Sequence, residues 1–330
     1  MKADADRGSS RLAIVCAADG AYVIPLAATV RSAIEHLDPE RLLDLFVIYD
    51  GITAVSRMRL RASWRDPRVR VRWIRAAPAL LPNVPVSGHV SRAAYLRLLL
   101  PRVLPESLSR VLYLDSDLVV LRDLSALWEL PFNGRPLLAA QDVVLPFIDS
   151  EIALPRYEAS APHLVAARPI ENYRELGLDP RSKYFNSGVL LIDLACWRRE
   201  RATDKLLDCL RENAAHVRFW DQYMLNAVFH GRWGELDLRW NRQSLIYRYP
   251  AWQSSPFDRE TWERALADPW IAHFTSHEKP WHFEYDQPDR ELFFEALRHT
   301  AWSRWRPARP RERKSLHRRV ERAIRSWLRS

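Results

Sequence analysis

Glycine is scarce in this sequence, with 9 residues among 330. Neither of the two common glycine-rich phosphate-binding patterns, GxGxxG and GxxxxGK[ST], occurs in it. These patterns let a backbone approach a phosphate group closely, so their absence argues against a Rossmann dinucleotide site and against a P-loop. A phosphate-containing ligand would instead have to be held by side chains and a metal ion.

Cysteine is rare too, and long apolar runs are missing. Cys16, Cys196 and Cys209 are an odd number without metal-like spacing, which favours a reducing compartment and no disulfide framework. Residues 1–10 are polar and lack the apolar core of a secretion signal, and we expect them to be disordered. No apolar run reaches the roughly 18 residues that cross a membrane. We therefore expect a cytoplasmic protein.

Positive charge is concentrated at the C-terminal end. Residues 301–330 contain eleven Lys and Arg and two Glu, so this segment accounts for the whole net charge of +9 and the body is neutral. Apolar residues recur at helical spacing among the arginines from Ser315 to Ser330, which predicts a basic amphipathic tail suited to an anionic membrane surface. The alternatives are a helix docked on its own domain and a dimer contact. Nucleic acid is not an expected partner, because the body shows no basic patch.

The first quarter of the chain alternates strands and helices. The predicted strands are Arg11–Ala17, Leu42–Tyr49 and Val69–Ile74, and the predicted helices between them are Tyr22–Leu37 and Thr53–Trp64. This alternation predicts an α/β fold with a mostly parallel sheet and helices on both faces. Ligands of such sheets bind beyond the carboxyl ends of strands, which is where Asp19 lies.

Two aspartates stand one residue apart between two apolar runs. Asp115 and Asp117 follow the predicted buried strand Val111–Leu114 and precede a second one. Residues i and i+2 of an extended chain point the same way, so both carboxylates could converge on one point. Two carboxylates at the edge of an apolar core need a counter-charge, and Mg²⁺ or Mn²⁺ shared with substrate phosphates would supply it. The alternative is a pair of ordinary turn residues.

Polar residues also follow the later predicted strands. Asp142 comes after the strand Pro136–Gln141, and the long segment from there to Lys183 predicts short helices that contact the acceptor. Asn186 stands at the mouth of a loop that feeds the next strand. One amphipathic helix is predicted over Leu194–Glu212.

Three further side chains are candidates for binding anions or metal. Asp221 is a plausible N-cap of a helix, and His273 ends a strand six residues before Lys279. Histidine suits Mn²⁺ beside carboxylates, and lysine suits phosphate. Arg97, in a helix predicted from Ser91 to Leu100 and closed by prolines, is either a solvated arginine or a clamp for phosphate or carboxylate.

Six short motifs occur in a fixed order along the chain. They are Ala17-Ala18-Asp19, Tyr95-Leu96-Arg97, Tyr113-Leu114-Asp115-Ser116-Asp117, Phe185-Asn186-Ser187-Gly188, Asp221-Gln222 and His273…Lys279-Pro280-Trp281. With these motifs the chain resembles glycosyltransferase family 8, whose members include bacterial lipooligosaccharide α-galactosyltransferases and glycogenin. The resemblance implies the GT-A fold, a single Rossmann-like α/β domain around a mixed, mostly parallel sheet, here over residues 11–300 and followed by the basic tail 301–330.

The resemblance also implies roles for individual residues. The implied metal ligands, for Mn²⁺ or alternatively Mg²⁺, are Asp115, Asp117 and His273. The residues implied around the nucleotide and diphosphate of a UDP-sugar are Ala17, Asp19, Tyr22, Ser116 and Lys279. The residues implied around the donor sugar are Arg97, Asp142, Asn186, Asp221 and Gln222. Two positions depart from the family pattern: Ser276 stands where a glycine is frequent, and Ala21 where an asparagine is common.

The implied reaction transfers galactose or glucose from the UDP-sugar, with retention, to a saccharide acceptor. The implied acceptor is a glycolipid or lipopolysaccharide core at the cytoplasmic face of the inner membrane. An amide such as Gln222 is a poor nucleophile, so front-side attack is favoured, and Asp221 is the alternative nucleophile. The alternative function is a membrane-associated binding protein with a degenerate transferase domain, against which the intact metal-ligand pattern argues.

Overall fold

The computed structural model describes residues 11–76 and 92–307. Its strands are β1 (Arg11–Asp19), β2 (Leu42–Asp50), β3 (Val69–Arg75), β4 (Arg110–Leu114), β5 (Leu118–Val120), β6 (Leu137–Gln141), β7 (Phe185–Asp193), β8 (Gly234–Glu235), β9 (Arg242–Gln243) and β10 (Ile271–His273). Its α-helices are α1 (Val23–Glu35), α2 (Ala54–Ser63), α3 (Leu100–Val103), α4 (Ser125–Trp128), α5 (Ser150–Ala153), α6 (Tyr157–Ser160), α7 (Leu194–Arg199), α8 (Ala202–Glu212), α9 (Trp220–Val228), α10 (Arg259–Ala267) and α11 (Arg290–Arg298). Short 3-10 segments include Gly20–Tyr22, Arg92–Leu99 and Leu238–Asn241.

Three predicted segments lie wholly or mostly outside the described residues. They are the polar N-terminus, nearly all of the proline-rich loop after Ala76, and the basic tail beyond Pro307. The predicted domain boundaries stay predictions.

A seven-stranded sheet forms the centre of the molecule, in the order β3-β2-β1-β4-β7-β6-β8. Neighbouring strands are parallel except where β7 pairs with β4 and β6. The predicted mixed, mostly parallel sheet is therefore confirmed. Because β7 runs against its neighbours, its first residues lie beside the carboxyl ends of β4 and β6, at the edge where ligands of such sheets bind.

A second, smaller sheet has the order β5-β10-β9. Helix α1 packs against β5 and supplies hydroxyl groups to its buried backbone: Leu118 N–H donates to Oγ1 of Thr29 at 3.2 Å, and Val120 N–H donates to Oγ of Ser32 at 2.9 Å. Buried backbone donors need such partners, so the polar face of α1 fixes the position of the small sheet.

Two helix predictions are corrected. The segment Leu194–Glu212 forms two helices, α7 and α8, because Arg201 adopts a left-handed backbone conformation with φ of 56°. That conformation interrupts the i to i−4 hydrogen bonds of a continuous helix. In addition, Pro101 does not close a helix but lies in the first turn of α3, where the missing N–H of proline costs nothing.

Two site residues also lie in other local positions than predicted. Asp221 is in the first turn of α9, whose N-cap is Phe219, and Trp220 before it has a φ of 47°. Asn186 lies inside strand β7 and not in the loop before it. In the described ranges, 11–76 and 92–307, no helix is long and apolar enough to cross a membrane.

Candidate functional site

The carboxyl edge of the large sheet borders a cleft of about 390 Å³. All thirteen residues proposed from the sequence line it: Ala17, Asp19, Tyr22, Arg97, Asp115, Ser116, Asp117, Asp142, Asn186, Asp221, Gln222, His273 and Lys279. Asp19 is the last residue of β1, and Asp115 and Asp142 directly follow β4 and β6, so all three lie at the same edge of the sheet. The structure thus brings the predicted residues together, while their individual roles stay predictions.

Asp115, Asp117 and His273 form one cluster, with a ligand atom of each within 4.8 Å of the others. Nε2 of His273 lies 3.3 Å from Oδ1 of Asp117 and 3.7 Å from Oδ2 of Asp115. The small sheet creates this arrangement, since β10 pairs antiparallel with β5 and sets His273 opposite Leu118. His273, the last residue of β10, therefore lies beside Asp117, which directly precedes β5.

Gly188 makes room for this cluster. A Cβ atom at position 188 would lie 2.2 Å from Cε1 of His273 and 2.8 Å from Oδ2 of Asp115. The carbonyl group of Gly188 accepts a hydrogen bond from the backbone N–H of Asp115 at 2.8 Å. Strand β7 therefore supports both metal-ligand candidates only because this position has no side chain.

Arg97 joins two carboxylates beneath the cluster. Its Nη2 lies 2.7 Å from Oδ1 of Asp115, its Nε lies 3.0 Å from Oδ2 of Asp221, and its guanidinium stacks 4.3 Å from the ring centre of Tyr113. Burial acts to lower the pKa of Arg97, but the two carboxylates outweigh burial and raise it. The clamp predicted for Arg97 thus holds carboxylates of the site in place, and the solvated alternative is excluded by an exposure of 3%.

Lys279 lies on the other side of the cluster. Its Nζ is 2.6 Å from Oδ2 of Asp117 and donates also to the carbonyl oxygen of Phe274. Burial acts to raise the pKa of Asp117, but Lys279 and His273 outweigh it and hold this pKa well below its usual range. Asp117 is therefore ionised in the folded protein, as a metal ligand must be.

Asp221 is buried and hydrogen-bonded. Its Oδ2 accepts from Oγ of Ser187 at 3.0 Å in addition to its contact with Arg97. Burial raises the pKa of Asp221 to about 6, against the opposing effect of Arg97 and with a further contribution from the charge of Asp115. Both contacts go to the same oxygen, Oδ2.

Side-chain amides line the far wall of the cleft. Asn186 and Gln222 each donate to Oδ2 of Asp142 at 3.0 Å. The other end of the Gln222 amide, Oε1, accepts from the backbone N–H of Ser187 at 3.0 Å. Gln222 is therefore held at both ends, and Oγ of Ser187 also lies 3.4 Å from its carbonyl oxygen.

Asn241 is a site residue that the sequence did not reveal. It is fully buried, its Nδ2 donates to Oδ1 of Asn186 at 2.9 Å, and its Oδ1 lies 2.8 Å from Nδ1 of His273. It lies outside the six motifs. The contact arises because β9, which follows Asn241, pairs in parallel with β10, and two-residue strands leave no pattern in a sequence.

The end of β1 and the 3-10 segment Gly20–Tyr22 that follows it form another wall of the cleft. Oδ1 of Asp19 accepts from the backbone N–H groups of Ala21 and Tyr22 at 2.8 and 3.2 Å, and Oγ of Ser116 donates to the carbonyl oxygen of Ala17 at 2.7 Å. This hydrogen bond of Ser116, which lies between Asp115 and Asp117, connects that segment to β1. The tyrosine ring meets Trp281 edge-on, with ring centres 5.8 Å apart. Burial raises the pKa of Tyr22, so its hydroxyl stays protonated.

The donor set and its charge fit a divalent cation. Five carboxylates line the cleft in the described part of the chain, from Asp19, Asp115, Asp117, Asp142 and Asp221. Three Lys and Arg side chains line it too, of which Arg97 and Lys279 are buried and Arg248 is exposed. Excess carboxylate charge at a buried site calls for a cation. Carboxylate oxygens with one imidazole nitrogen suit Mn²⁺, so the residues present fit the metal that the resemblance implies.

Comparison with known proteins places these features in context. A family profile described as Glycosyl transferase family 8 matches residues 13–284. General stress protein A of Bacillus subtilis strain 168 is 29% identical over 293 residues, which cover 88% of this chain and 94% of that relative. Lipopolysaccharide 1,2-glucosyltransferase of Escherichia coli strain K12 is 26% identical over 274 residues, which cover 83% of this chain and 73% of that relative.

A solved structure shares the fold. It is a galactosyltransferase, LgtC, in complex with donor and acceptor sugar analogs, and it superimposes with a TM-score of 0.71 at 24% identity. The match covers 92% of this chain and 99% of that chain. At this identity the likeness supports the fold alone, and it confirms the predicted GT-A architecture.

Proposed function

This chain belongs to glycosyl transferase family 8, and we propose that it transfers a hexose, galactose or glucose, from a UDP-sugar to a saccharide acceptor with retention of configuration. The observation that carries the proposal is the cluster of Asp115, Asp117 and His273 in one cleft with Lys279 and the amide wall. Each group has the chemistry that a nucleotide-sugar donor needs, and their convergence comes from residues far apart in the chain.

Asp115, Asp117 and His273 would hold Mn²⁺, or alternatively Mg²⁺. When bound, the ion would stabilise the negative charge that develops on the leaving diphosphate. Nζ of Lys279 lies 2.6 Å from Oδ2 of Asp117, so its ammonium group would lie close to an ion held there. It would bind the diphosphate as a point charge. Arg97 would keep the Asp115 carboxylate turned into the cleft.

The walls of the cleft suggest where the rest of the donor binds. Ala17, Asp19 and Tyr22 would surround the uracil and ribose, with Ser116 beneath them. Tyr22 contributes an apolar ring beside Trp281, and a base can lie against such a surface. The donor sugar would then reach the opposite wall, where Asp142, Asn186 and Gln222 offer carboxylate and amide groups to its hydroxyls.

Retention is best explained by attack on the same face of the sugar that the diphosphate leaves. Gln222 would lie near the anomeric carbon, but an amide is a poor nucleophile, and its oxygen already accepts from the Ser187 N–H. Asp221 is the alternative nucleophile; its Oδ2 contacts Arg97 and Ser187, which argues against a free attacking role. In front-side attack the leaving phosphate oxygen accepts the proton of the acceptor hydroxyl.

The names of two similar proteins guide the proposed acceptor. One is a lipopolysaccharide 1,2-glucosyltransferase, and another, 24% identical, is a lipopolysaccharide 1,3-galactosyltransferase of Salmonella typhimurium. We therefore propose a glycolipid or lipopolysaccharide core as the acceptor, at the cytoplasmic face of the inner membrane.

The place where the basic tail leaves the body supports a peripheral membrane position. Ala301 accepts from Nη2 of Arg59 and donates to Oγ of Ser63, each at 2.9 Å, so the tail begins against helix α2. The same helix exposes Val55 and Met58, at 66% and 70%, near its start at the carboxyl edge of the sheet. An anionic membrane that attracts the tail would thus also meet exposed apolar side chains of the same helix.

Vesicle binding tests this position. We expect the full chain to sediment with vesicles containing phosphatidylglycerol and not with pure phosphatidylcholine. Replacing Arg318, Arg319, Arg322 and Arg325 by glutamine should weaken binding strongly, since each basic residue near such a surface contributes about 1 kcal/mol. Equal binding by the variant would contradict a role of the tail.

UDP binding and turnover test the proposed activity. We expect Mn²⁺-dependent binding of UDP, and UDP release from UDP-glucose or UDP-galactose that identifies the donor. Asp117→Ala should abolish both, whereas Asp123→Ala, which removes a carboxylate outside the cleft, should leave both near the wild-type level. Binding without UDP release, in the presence of saccharide acceptors, would favour the degenerate, non-catalytic alternative. Absence of binding with and without Mn²⁺ would refute the proposal.

A further inference from the structure

A series of hydrogen bonds links Asn186 through Asn241 to His273. The partners of Asn186 determine which atom of each pair in this series donates and which accepts. A carboxylate only accepts, so Asn186 must turn its Nδ2 toward Oδ2 of Asp142, at 3.0 Å. The backbone N–H of Gly188 only donates, and it points to Oδ1 of Asn186 at 3.0 Å. These two fixed partners leave a single orientation for the Asn186 amide.

The orientation of the Asn186 amide determines the orientation of the Asn241 amide. Because Oδ1 of Asn186 is an acceptor, the neighbouring atom of Asn241 at 2.9 Å must be its Nδ2. Oδ1 of Asn241 therefore faces Nδ1 of His273 at 2.8 Å and requires a proton on that nitrogen. Nε2 is then free to direct its lone pair toward the side of Asp115 and Asp117.

We propose that Asn241 is a positioning residue of the metal site, which fixes both the ring orientation and the tautomer of His273. The inference rests on the proposed function, because it assumes that His273 binds the metal. Asn241 is fully buried and His273 is 3% exposed, so bulk water does not offer a substitute acceptor. Without Asn241 the neutral ring is no longer held with its proton on Nδ1, and the form protonated on Nε2 has no lone pair to direct toward Asp115 and Asp117.

Measuring Mn²⁺ affinity directly, by electron paramagnetic resonance of the free ion with UDP present, tests this role. We expect Asn241→Leu to weaken Mn²⁺ binding by roughly 10–100-fold, the usual effect of losing the partner of a metal-binding histidine. Asn241→Asp keeps an oxygen opposite Nδ1 but loses the donor that faces Oδ1 of Asn186, so its Mn²⁺ affinity should lie between those of the wild type and the leucine variant. Asn241→Ser, too short to reach the ring, should resemble leucine and replaces it if the leucine variant does not fold.

Asn172 offers a matched control. It is 6% exposed, accepts one hydrogen bond from the Tyr223 hydroxyl at 2.6 Å and donates one to Oδ1 of Asn213 at 2.8 Å, outside the cleft. Asn172→Leu should lower thermal stability as much as Asn241→Leu but leave Mn²⁺ affinity unchanged.

Three results would overturn the inference. Wild-type affinity in Asn241→Leu would show that the amide is dispensable, and equal weakening in the aspartate and leucine variants would show that the acceptor oxygen is not what matters. If the wild type itself binds no Mn²⁺, the metal site of the proposed function fails and this role fails with it. In the first two cases the wild type still binds, so the proposed function survives.

Discussion

Replacing Gly188 with alanine tests whether the metal site depends on the close approach of β7 to His273. The added methyl group would lie 2.2 Å from Cε1 of the histidine ring. Non-bonded carbon atoms usually lie about 3.5–4.0 Å apart, so the ring must retreat by more than about 1 Å. A shift of strand β7 instead would also be unfavourable, because it would disturb two hydrogen bonds of the Gly188 backbone. The carbonyl oxygen accepts from the Asp115 N–H, and the N–H donates to Oδ1 of Asn186.

The displaced ring should impair binding and catalysis together. We expect the Mn²⁺ dissociation constant to rise by roughly 10–100-fold, as when the surroundings of a metal ligand are disturbed. A misplacement of about 1 Å can cost about 100-fold in rate, so UDP release should fall at least that much at subsaturating Mn²⁺. Urea unfolding should show a loss of about 1–3 kcal/mol, typical of an overpacked interior.

Gly234→Ala separates steric strain from damage to the site. A Cβ atom there would lie 2.3 Å from Cδ2 of Leu138, a similar overlap but outside the cleft. This variant should lose stability while keeping Mn²⁺ affinity and turnover. Affinity and turnover of Gly188→Ala within about twofold of the wild type would refute the reasoning, because a 1 Å shift of a ligand should not be silent.

Three further predictions concern buried charges. The pKa of Asp221 is raised to about 6 in the folded protein, so between about pH 4 and pH 6 the folded state holds a proton that the unfolded state has lost. The free energy of unfolding should therefore fall by roughly 3 kcal/mol as the pH rises through this range, at about 1.4 kcal/mol per pKa unit. Asp221→Asn should remove this dependence, and wild-type and variant unfolding curves that stay parallel from pH 4 to pH 7 would contradict it. Arg97→Lys cannot contact Asp115 and Asp221 through one rigid fork, and it should lower turnover at least about tenfold with a loss of several kcal/mol in urea unfolding. Asp289→Ala leaves Arg242, 1% exposed, without its carboxylate partner and should cost about 3–5 kcal/mol in the same assay with Mn²⁺ affinity unchanged.

The parts of the site that follow strand ends were predictable from the sequence. Asp19, Asp115 and Asp142 each follow an apolar run, and parallel strands bring such residues to a common edge. The resemblance to the family added Ala17, Tyr22, Ser116 and Gln222. The confirmed fold follows from the same alternation of strands and helices.

The parts that depend on chain direction and long-range pairing were not predictable. Asn186 was expected in a loop, but it lies inside β7. This strand begins at the ligand-binding edge of the sheet because it runs antiparallel to β4. Arg201 takes a left-handed conformation although no glycine or proline marks the break between α7 and α8. Asn241 reaches His273 only through the pairing of β9 with β10.

The metal-ligand candidates come from both sheets. Asp115 follows β4 of the large sheet, whereas His273 ends β10 of the small one. An ion shared by these residues would act as a cross-link between two separately hydrogen-bonded units, much as a disulfide joins two segments of chain. Hydrogen exchange of the β5, β9 and β10 amides should then slow when Mn²⁺ is added, because local opening of the small sheet would require release of the ion. The boundary between the two sheets would then be both the proposed site of chemistry and a region that the bound ion stiffens.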